Sequence, residues 1–544
     1  MDWKTGISLS ALFVLLMSLP WLVPYMGWTA LVGLLPLLIL ERLAAQRGIK
    51  HFWWWHYGLF VAWNAVTTWW VGNATAGGAV FAILANSLQM SLVFGAFRWV
   101  RRRTQGALPY LFLAAAWLAW ERYYLTVAEI SWPWLVLGNA FAETTGLVQW
   151  YSVLGTLGGS LWVWAANLSL FGLMVTLSDG RMARWNAKAR IAAFAGAAIA
   201  LFGPMLWSVC LPAPGEGEPL RVVIGQPNYD PYEKFESLTQ EQQDQRYLKL
   251  LEGAEWTPGR PVLVLAPETF TSNLVTDNIP AHETFIRFQR FLKDHPDATL
   301  LFGASTYDRS YGTKAPHICA YDMGEVPGRK EHAWLVAHNS ALMTDSTGRH
   351  PIYHKSKLVV GTELTPYPRF FIPLEKLVSG GKTLMAKDVG QQEIGCLPMQ
   401  LKGRTVPVGA AVCYESVYGE FCAGYVRKGA ELLAVITNDA WWGNTPGYRQ
   451  HLSYSRLRAI ETRRWVARCG NTGISALIDP EGHIVEKTAW WEPAVLEGEV
   501  QLLQGRSFFV RYGDITGRVA VLLTLLLGAA AVFRPYRKPA KKKR

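Results

Sequence analysis

The chain has 544 residues, of which 51% are hydrophobic, with 26 Trp and a formal net charge of +12. It is too long for one ordinary domain and too apolar for a purely soluble protein. Up to about Cys210 apolar runs alternate with short polar loops, whereas residues 219–504 read as a mixed globular domain and a last apolar run, 519–533, precedes a basic tail.

Eight segments approach bilayer length, some needing tilt or interfacial aromatics to complete a span. They are centred on 7–21, 25–40, 52–71, 79–100, 107–126, 160–177, 192–210 and 518–533. The expected organisation is a membrane domain of seven helices over 1–212, a globular domain over 219–504, a spanning helix over 518–533 and a basic cytoplasmic tail over 534–544. No small-x-small cleavage site follows the first segment. Pro20-Trp21-Leu22-Val23-Pro24 reads as a tight apolar turn into a second helix, so a retained helix is expected and not a signal peptide. Ser131-Trp132-Pro133-Trp134, in the loop after the fifth segment, reads as an interfacial aromatic anchor that also shapes a lipid entrance.

Orientation follows from the basic loops. Arg42, Arg47 and Lys50 follow segment two; Arg98, Arg101, Arg102 and Arg103 follow segment four; Arg181, Arg184, Lys188 and Arg190 follow segment six. The tail adds Arg534, Arg537, Lys538, Lys541, Lys542, Lys543 and Arg544. With eight helices all four places fall on one side, so both termini are expected in the cytoplasm and the globular domain on the outer face. The excess positive charge is used up there, which leaves no basic surface for nucleic acid.

The cysteines are Cys210, Cys319, Cys396, Cys413, Cys422 and Cys469, with no C-x-x-C pair. No disulfide framework can be read from such spacings, and no His and Cys fall at ligand spacing, so no metal site is expected. Within the outer domain strands and helices alternate. Strands are expected over 220–226, 262–266, 299–303, 406–412 and 432–437, and helices over 240–255, 282–292 and 448–468. This is an α/β or α+β layered domain. It contains no G-x-G-x-x-G, P-loop or G-x-S-x-G, which removes the common nucleotide-binding and serine-hydrolase readings.

Three chemically capable residues stand at apparent strand ends. Cys413 follows the apolar, small-residue run 406–412; Glu268 follows Ala266-Pro267; Lys355 lies in Tyr353-His354-Lys355-Ser356-Lys357-Leu358. A thiol attacks only as thiolate and needs a base or a cation nearby, which a glutamate and a lysine supply. Singly each has a plain reading: a small buried hydrophobe, a solvated turn residue and a lysine facing water. On a strand Lys355 and Lys357 would share a face, since side chains alternate every residue.

Taken in order, Ala266-Pro267-Glu268, Tyr353-x-Lys355-x-x-Leu358 and Val412-Cys413-Tyr414-Glu415 resemble the Glu, Lys and Cys motifs of the nitrilase (carbon-nitrogen hydrolase) superfamily. With the flanking helices the chain resembles the apolipoprotein N-acyltransferase family over essentially its whole length. Further matching stretches are Gln226-Pro227-Asn228, Thr437 to Gly443, Gln450-His451, Arg456-x-Arg458-Ala459-x-Glu461 and Asn471-Thr472-Gly473. Where that family often has Pro-Phe-Gly-Glu after the Lys motif, this chain has Val360-Gly361-Thr362-Glu363. Motif spacing selects Lys355 over Lys357.

The resemblance implies eight spanning helices and an extracytoplasmic α-β-β-α sandwich of nitrilase type. It implies Cys413 as nucleophile, Glu268 as general base and Lys355 as the charge that favours the thiolate and, with the Tyr414 backbone N–H, the oxyanion. Glu363, Tyr414, Glu415, Trp441 and Trp442 are supporting or substrate-binding candidates, the two tryptophans either packing the core or lining an acyl pocket. The implied reaction moves a fatty acyl group from a phospholipid, through a Cys413 thioester, to the amine of a diacylglyceryl-cysteine on an apolipoprotein. It takes place at a bacterial inner membrane, with no cofactor and in a monomer. Two alternatives stay open: a membrane-tethered amidase or nitrilase with the same triad, and a non-catalytic lipid or lipoprotein binder in envelope assembly or conjugation.

Overall fold

The computed structural model describes residues 3–379 and 388–534. The basic residues Arg537, Lys538, Lys541, Lys542, Lys543 and Arg544 lie outside them. The chain divides into two compact units, one formed by residues 1–212 with 512–544 and the other by 213–511.

The first unit is helical, and its helices form where apolar runs are long and capped. Asn186 starts Ala187–Cys210 by accepting the Ala189 N–H at 2.8 Å, and Thr75 caps Ala76–Arg101 in the same way. Among the described residues six helices are long and apolar enough to cross a membrane: Trp3–Leu22, Gly27–Gln46, Ala76–Arg101, Tyr151–Ser178, Ala187–Cys210 and Ile515–Val532. Helices also form at the other two expected segments, but Phe52–Thr68 has 17 residues and Leu108–Thr126 carries Glu121 and Arg122. Tyr151–Ser178 begins nine residues before the expected 160, with a break in its backbone at Gly155, φ +65°.

Ion pairs tie the loop ends together. Arg42 reaches Asp179 at 2.6 Å, and buried Glu41 is held by Arg98 and Arg101, so the ends of the second, fourth and sixth segments meet. Asp514 both caps Ile515–Val532, accepting the Gly517 N–H at 2.8 Å, and accepts from Arg122 at 2.9 Å; the last helix is thereby fixed to Leu108–Thr126. The Ser131–Trp134 stretch differs from the expected anchor. Trp134 is fully buried, stacks on Trp132 at 5.2 Å, and its carbonyl accepts the Trp21 indole N–H at 3.3 Å. The loop folds back among the helices, where its rings bury far more apolar area than at an edge.

The second unit is built on two sheets. The first contains β1 (Glu218–Gln226), β2 (Val262–Leu265), β3 (Thr271–Val275), β4 (Ala298–Gly312), β5 (Tyr321–Glu325), β6 (His332–Asp345) and β7 (Ile352–His354). The second contains β8 (Leu397–Leu401), β9 (Arg404–Val412), β10 (Leu432–Thr437), β11 (Val466–Gly470), β12 (Ala476–Ile478) and β13 (Ile484–Lys487), in the order β13-β12-β11-β10-β9-β8. The closing strand β14 (Ala494–Leu502) returns to the first sheet, whose order is β14-β1-β2-β4-β6-β5, with β3 on β4 and β7 on β6.

Alternation along the central strands makes the layers. Val222, Ile224, Leu263 and Leu265 pack with Val406, Val408, Leu432 and Val466 between the sheets. Their neighbours Val223, Val262 and Val264 pack outward with Tyr247 and Leu251 of Gln240–Leu251 and with Phe285 and Phe288 of Glu283–Asp294. On the far side lie Gly419–Arg427 and Pro446–Thr462. The result is an α-β-β-α sandwich, in which each fully buried Leu or Val contributes about 1.5–3 kcal/mol.

Two expectations are corrected. The helix expected over 448–468 ends at Thr462, because Arg463 turns into the left-handed region at φ +53°, and residues 466–470 form the buried strand β11 beside β10. The strand expected over 299–303 runs on to Gly312; its second half is polar and mostly part-buried and so carries no apolar signal.

Candidate active site

β9 pairs in parallel with β10, Val412 beside Ile436, and delivers Cys413 at their shared carboxyl end. There the backbone swings into the left-handed region, φ +50° at Cys413, and enters the tight helical turn Cys413–Val417. A side chain with a Cβ in this conformation costs on the order of 1–3 kcal/mol, which its surroundings must offset. Glu415 does so from beneath. Fully buried, it accepts the Val412 N–H at 2.8 Å, the Tyr425 hydroxyl at 3.1 Å, the Tyr353 hydroxyl at 2.7 Å and the N–H groups of Ser356 and Lys357 at 2.6 and 3.3 Å. Burial pushes its carboxyl up, against the pull of these donors. Through these bonds it ties the Cys413 turn to the loop that carries Lys355.

Glu268 follows β2 in the middle of the first sheet and is buried. Gly303 on β4 makes its position possible: a Cβ there would lie 2.6 Å from the Glu268 Cα. Lys355 follows β7. Its ammonium donates to Glu268 Oε1 at 3.0 Å and to Glu363 Oε1 at 2.8 Å. Asn339 Nδ2 donates to the same two oxygens at 2.8 Å each, and the Asn438 N–H holds Glu268 Oε2 at 3.0 Å. Burial alone would depress the Lys355 ammonium, but the carboxylates of Glu268 and Glu363, with Cys413 beside them, hold it well above the usual lysine range. Cys413 is half-buried. Burial pushes its thiol well up and Glu268 adds to this, while Lys355 opposes them. Glu268, Lys355, Glu363 and Cys413 are thus brought into one electrostatic cluster.

Lys357 is not part of it. β7 stops at His354, so residues 355–358 are not a strand and the two lysines diverge, contrary to the expected shared face. The Lys357 ammonium lies 5.4 Å above the Tyr418 ring. Tyr414 is buried, edge-on to Tyr418 at 5.3 Å. Trp442 meets His451 edge-on at 5.6 Å, and exposed Trp441 stands 5.9 Å from Tyr232.

Sequence reasoning gave no role to a second buried layer. His451 Nδ1 lies 2.9 Å from Asp439 Oδ1, which also accepts the Thr437 hydroxyl at 2.7 Å; Arg468 holds the other Asp439 oxygen. His451 Nε2 lies 3.1 Å from the Cys413 carbonyl and 3.0 Å from the Ser416 hydroxyl. Although burial works the other way, His451 and Arg468 keep the Asp439 carboxyl below the usual range. Lys234, also buried, donates to the Thr269 carbonyl at 2.6 Å; burial lowers its ammonium to about 8 and Glu268 works against that. Lys234 lay in a polar stretch with nothing to mark it. Asp439 and His451 lay in the matching stretches 437–443 and 450–451, which were the available signal.

Comparison with known proteins places this geometry. Residues 262–508 match the carbon-nitrogen hydrolase family and residues 13–169 match the apolipoprotein N-acyltransferase N-terminal domain. An apolipoprotein N-acyltransferase of Azotobacter vinelandii is 30% identical over 520 residues, covering 91% of this chain and 87% of its own. This chain belongs to the apolipoprotein N-acyltransferase family. A member of that family from Chlorobaculum tepidum is 28% identical over 513 residues, covering 94% of this chain and 92% of its own. Among solved structures, Saccharomyces cerevisiae Nit3, of the nitrilase superfamily, aligns with 53% of this chain and 91% of its own at 16% identity and a TM-score of 0.36. Glu268, Lys355, Glu363 and Cys413 all fall inside the carbon-nitrogen hydrolase match.

Proposed function

We propose that this chain is the acyltransferase its family name describes: it moves a fatty acyl group from a phospholipid to the N-terminal amine of a diacylglyceryl-cysteine on an apolipoprotein. The observation that carries the reading is Cys413, presented on a left-handed turn beside the Glu268–Lys355–Glu363 cluster, in a chain that matches the family over both units.

Glu268 takes the Cys413 proton as the sulfur attacks the ester carbonyl of the phospholipid. The oxyanion that forms is held by the Lys355 ammonium and the Tyr414 backbone N–H, each such donor being worth about 3–4 kcal/mol in comparable sites. Collapse breaks the ester C–O bond, and the departing lysophospholipid alcohol takes the proton back from Glu268. The incoming amine then attacks the thioester and loses its proton to Glu268. The C–S bond breaks, the amide forms and the thiol is regenerated, which is ping-pong chemistry. Lys355 stays charged throughout, as its two carboxylate partners require.

Both substrates are lipids, which accounts for a hydrolase-type sandwich inserted between membrane helices. We read all eight helices as spanning, with Phe52–Thr68 and Leu108–Thr126 completing the bundle, both termini cytoplasmic, the sandwich outside and the protein a monomer. The convergence of the ends of the second, fourth and sixth segments through Arg42–Asp179 and Glu41–Arg98 supports that orientation. A reporter fused after Gly517 then reads outside and one after Arg544 inside; the reverse pattern refutes it.

Mass spectrometry of the purified protein incubated with phospholipid alone tests the function. One fatty-acyl mass on Cys413, released by neutral hydroxylamine and discharged onto a diacylglyceryl-cysteine peptide, is the expected result. Discharge to water only would make the protein a hydrolase that uses the same triad, here on the phospholipid ester, and no adduct at all would make it a binder.

A further inference from the structure

Outside the acyl-transfer cluster, a further group of side chains among the described residues is arranged for chemistry. Asp308 on β4, His338 on β6 and His354 at the end of β7 stand on one face of three adjacent strands: Thr306 pairs with His338, Asp308 with Val336, and Ser340 with His354. Their ligand atoms lie within 4.8 Å of one another. We propose that these three residues hold a divalent transition-metal ion of the zinc class.

The hydrogen bonds behind the two imidazoles carry the argument. His338 Nδ1 lies 2.6 Å from the Val389 carbonyl and can only donate to it, which leaves Nε2 with its lone pair. That Nε2 is buried, without a hydrogen-bond partner, and lies 3.4 Å from Asp308 Oδ2. His354 Nδ1 is 2.7 Å from the Ser340 hydroxyl, which in turn meets the Thr306 hydroxyl at 2.6 Å. An imidazole fixed through Nδ1 by a carbonyl or hydroxyl, with Nε2 presented forward, is the usual arrangement behind a metal-ligating histidine. Two neutral imidazoles and one carboxylate also form a donor set of borderline softness that suits zinc and its neighbours over calcium or magnesium. Asp308 is half-exposed, so water has access to complete the coordination.

The rings stack at 4.1 Å with planes 28° apart. A tetrahedral ion with bonds near 2.1 Å wants its donors about 3.4 Å apart, so binding would tilt the His354 ring, with the rotatable Ser340 hydroxyl following it, while His338 keeps its bond to the Val389 carbonyl. The ion would pin β4, β6 and β7 together one residue from Asn339 and Lys355, which lie next to His338 and His354 in the chain and face the acyl-transfer cluster. It takes no part in the reaction steps. Spacing could not reveal it, because the ligands come from three strands and are 30 and 16 residues apart; the expectation of no metal site rested on spacing alone.

The test uses full-length protein in detergent, stripped with chelator and then loaded with Zn(II) or Co(II). The expected result is one ion per chain after gel filtration, visible cobalt d–d absorption and a rise in melting temperature on Zn(II) addition. Binding should weaken at least about tenfold in Asp308→Asn and be lost in His338→Gln and His354→Gln. Asp479→Asn, in the exposed Asp479–Glu481–His483 group, should bind as the parent does. Asp308→Asn changes a half-exposed side chain, so it reports even if a histidine variant fails to fold. Three results overturn the proposal: no ion retained by the parent, equal retention by all three variants, or a cobalt–thiolate charge-transfer band, which would place the ion at Cys413, Asp439 and His451 instead. The first would leave His338 Nε2 facing Asp308 Oδ2 with no ion between them. The first two results leave the acyl-transfer reading untouched, whereas the third would put the ion on the proposed nucleophile itself.

Discussion

Glu415 accepts the backbone N–H of Val412 at 2.8 Å, so the residue just before the proposed nucleophile is clamped by the residue two places after it. The same carboxylate also gathers Tyr353, Ser356 and Lys357 from the loop that carries Lys355. One buried side chain therefore sets the relation between sulfur and ammonium. Glu415→Gln would set amide hydrogens against donors. The expected cost is about 2–4 kcal/mol, read as a lower melting temperature in detergent, with loss of acyl-enzyme. A variant that melts with the parent would show that the clamp is dispensable.

Lys355 and Lys357 should separate cleanly. Lys355→Ala leaves Glu268 and Glu363 facing each other without their shared cation and should abolish the acyl-enzyme. Lys357→Ala removes only a cation over the Tyr418 ring, worth about 0.5–1 kcal/mol, and should keep most of it. Mass spectrometry of the thioester adduct in both variants decides, and equal losses would disprove the assignment of Lys355.

Gly303→Ala tests the close approach of β4 to Glu268. A Cβ 2.6 Å from the Glu268 Cα must displace that backbone. A misplacement on the ångström scale at a reacting group costs about 10²-fold in rate. The expected outcome is that order of loss in single-turnover acylation, with the alkylation of Cys413 by a small reagent much less affected. An unchanged acylation rate would mean that Glu268 does not need its present position.

Asp388 supplies a pH dependence. Burial and the nearby Glu363 carboxylate raise its carboxyl to about 6, with Lys355 pulling the other way. A carboxyl raised on folding favours the folded state when protonated, so stability falls as pH rises from about 4 through about 6. With allowance for water screening of a part-exposed group, the fall is about 1–2 kcal/mol. Asp388→Asn should remove that slope and be the more stable protein at about pH 7.5. Parallel pH–melting curves for parent and variant would contradict this.

What the sequence made legible was whatever repeats locally. Strands such as 432–437 stand out because every residue is apolar, and the apolar runs of the helical unit because they are long. The helix expected over 240–255 forms as Gln240–Leu251, opened by a Thr239 capping box and with one buried face. Two features stayed hidden. Strand β11 was absorbed into the helix expected over 448–468, since a short strand with a charge in its middle has no apolar run of its own; that charge, Arg468, is buried against Asp439. The polar half of β4 had no apolar pattern, since its pairing with β6 and not burial holds it extended. In the site, Cys413, Glu268 and Lys355 were legible as motifs at strand ends. Asn339 was not, because a lone Asn on a strand has no signature until the fold sets it 2.8 Å from both carboxylates.

The pairing of β1 with β14, Glu218 opposite Leu502 through to Gln226 opposite Ala494, has a consequence for how the protein is made. β1 is the first strand of the sandwich to leave the ribosome and β14 the last. Until Leu502 has emerged, nine residues of β1 present an open edge that invites foreign strands. Nascent chains stalled before residue 494 should accordingly bind holdase chaperones or aggregate, whereas chains stalled just beyond Leu502 and clear of the ribosomal tunnel should resist protease. Assembly of the sandwich thereby waits until the final helix, Ile515–Val532, has itself been synthesised, so the two units of the chain mature together.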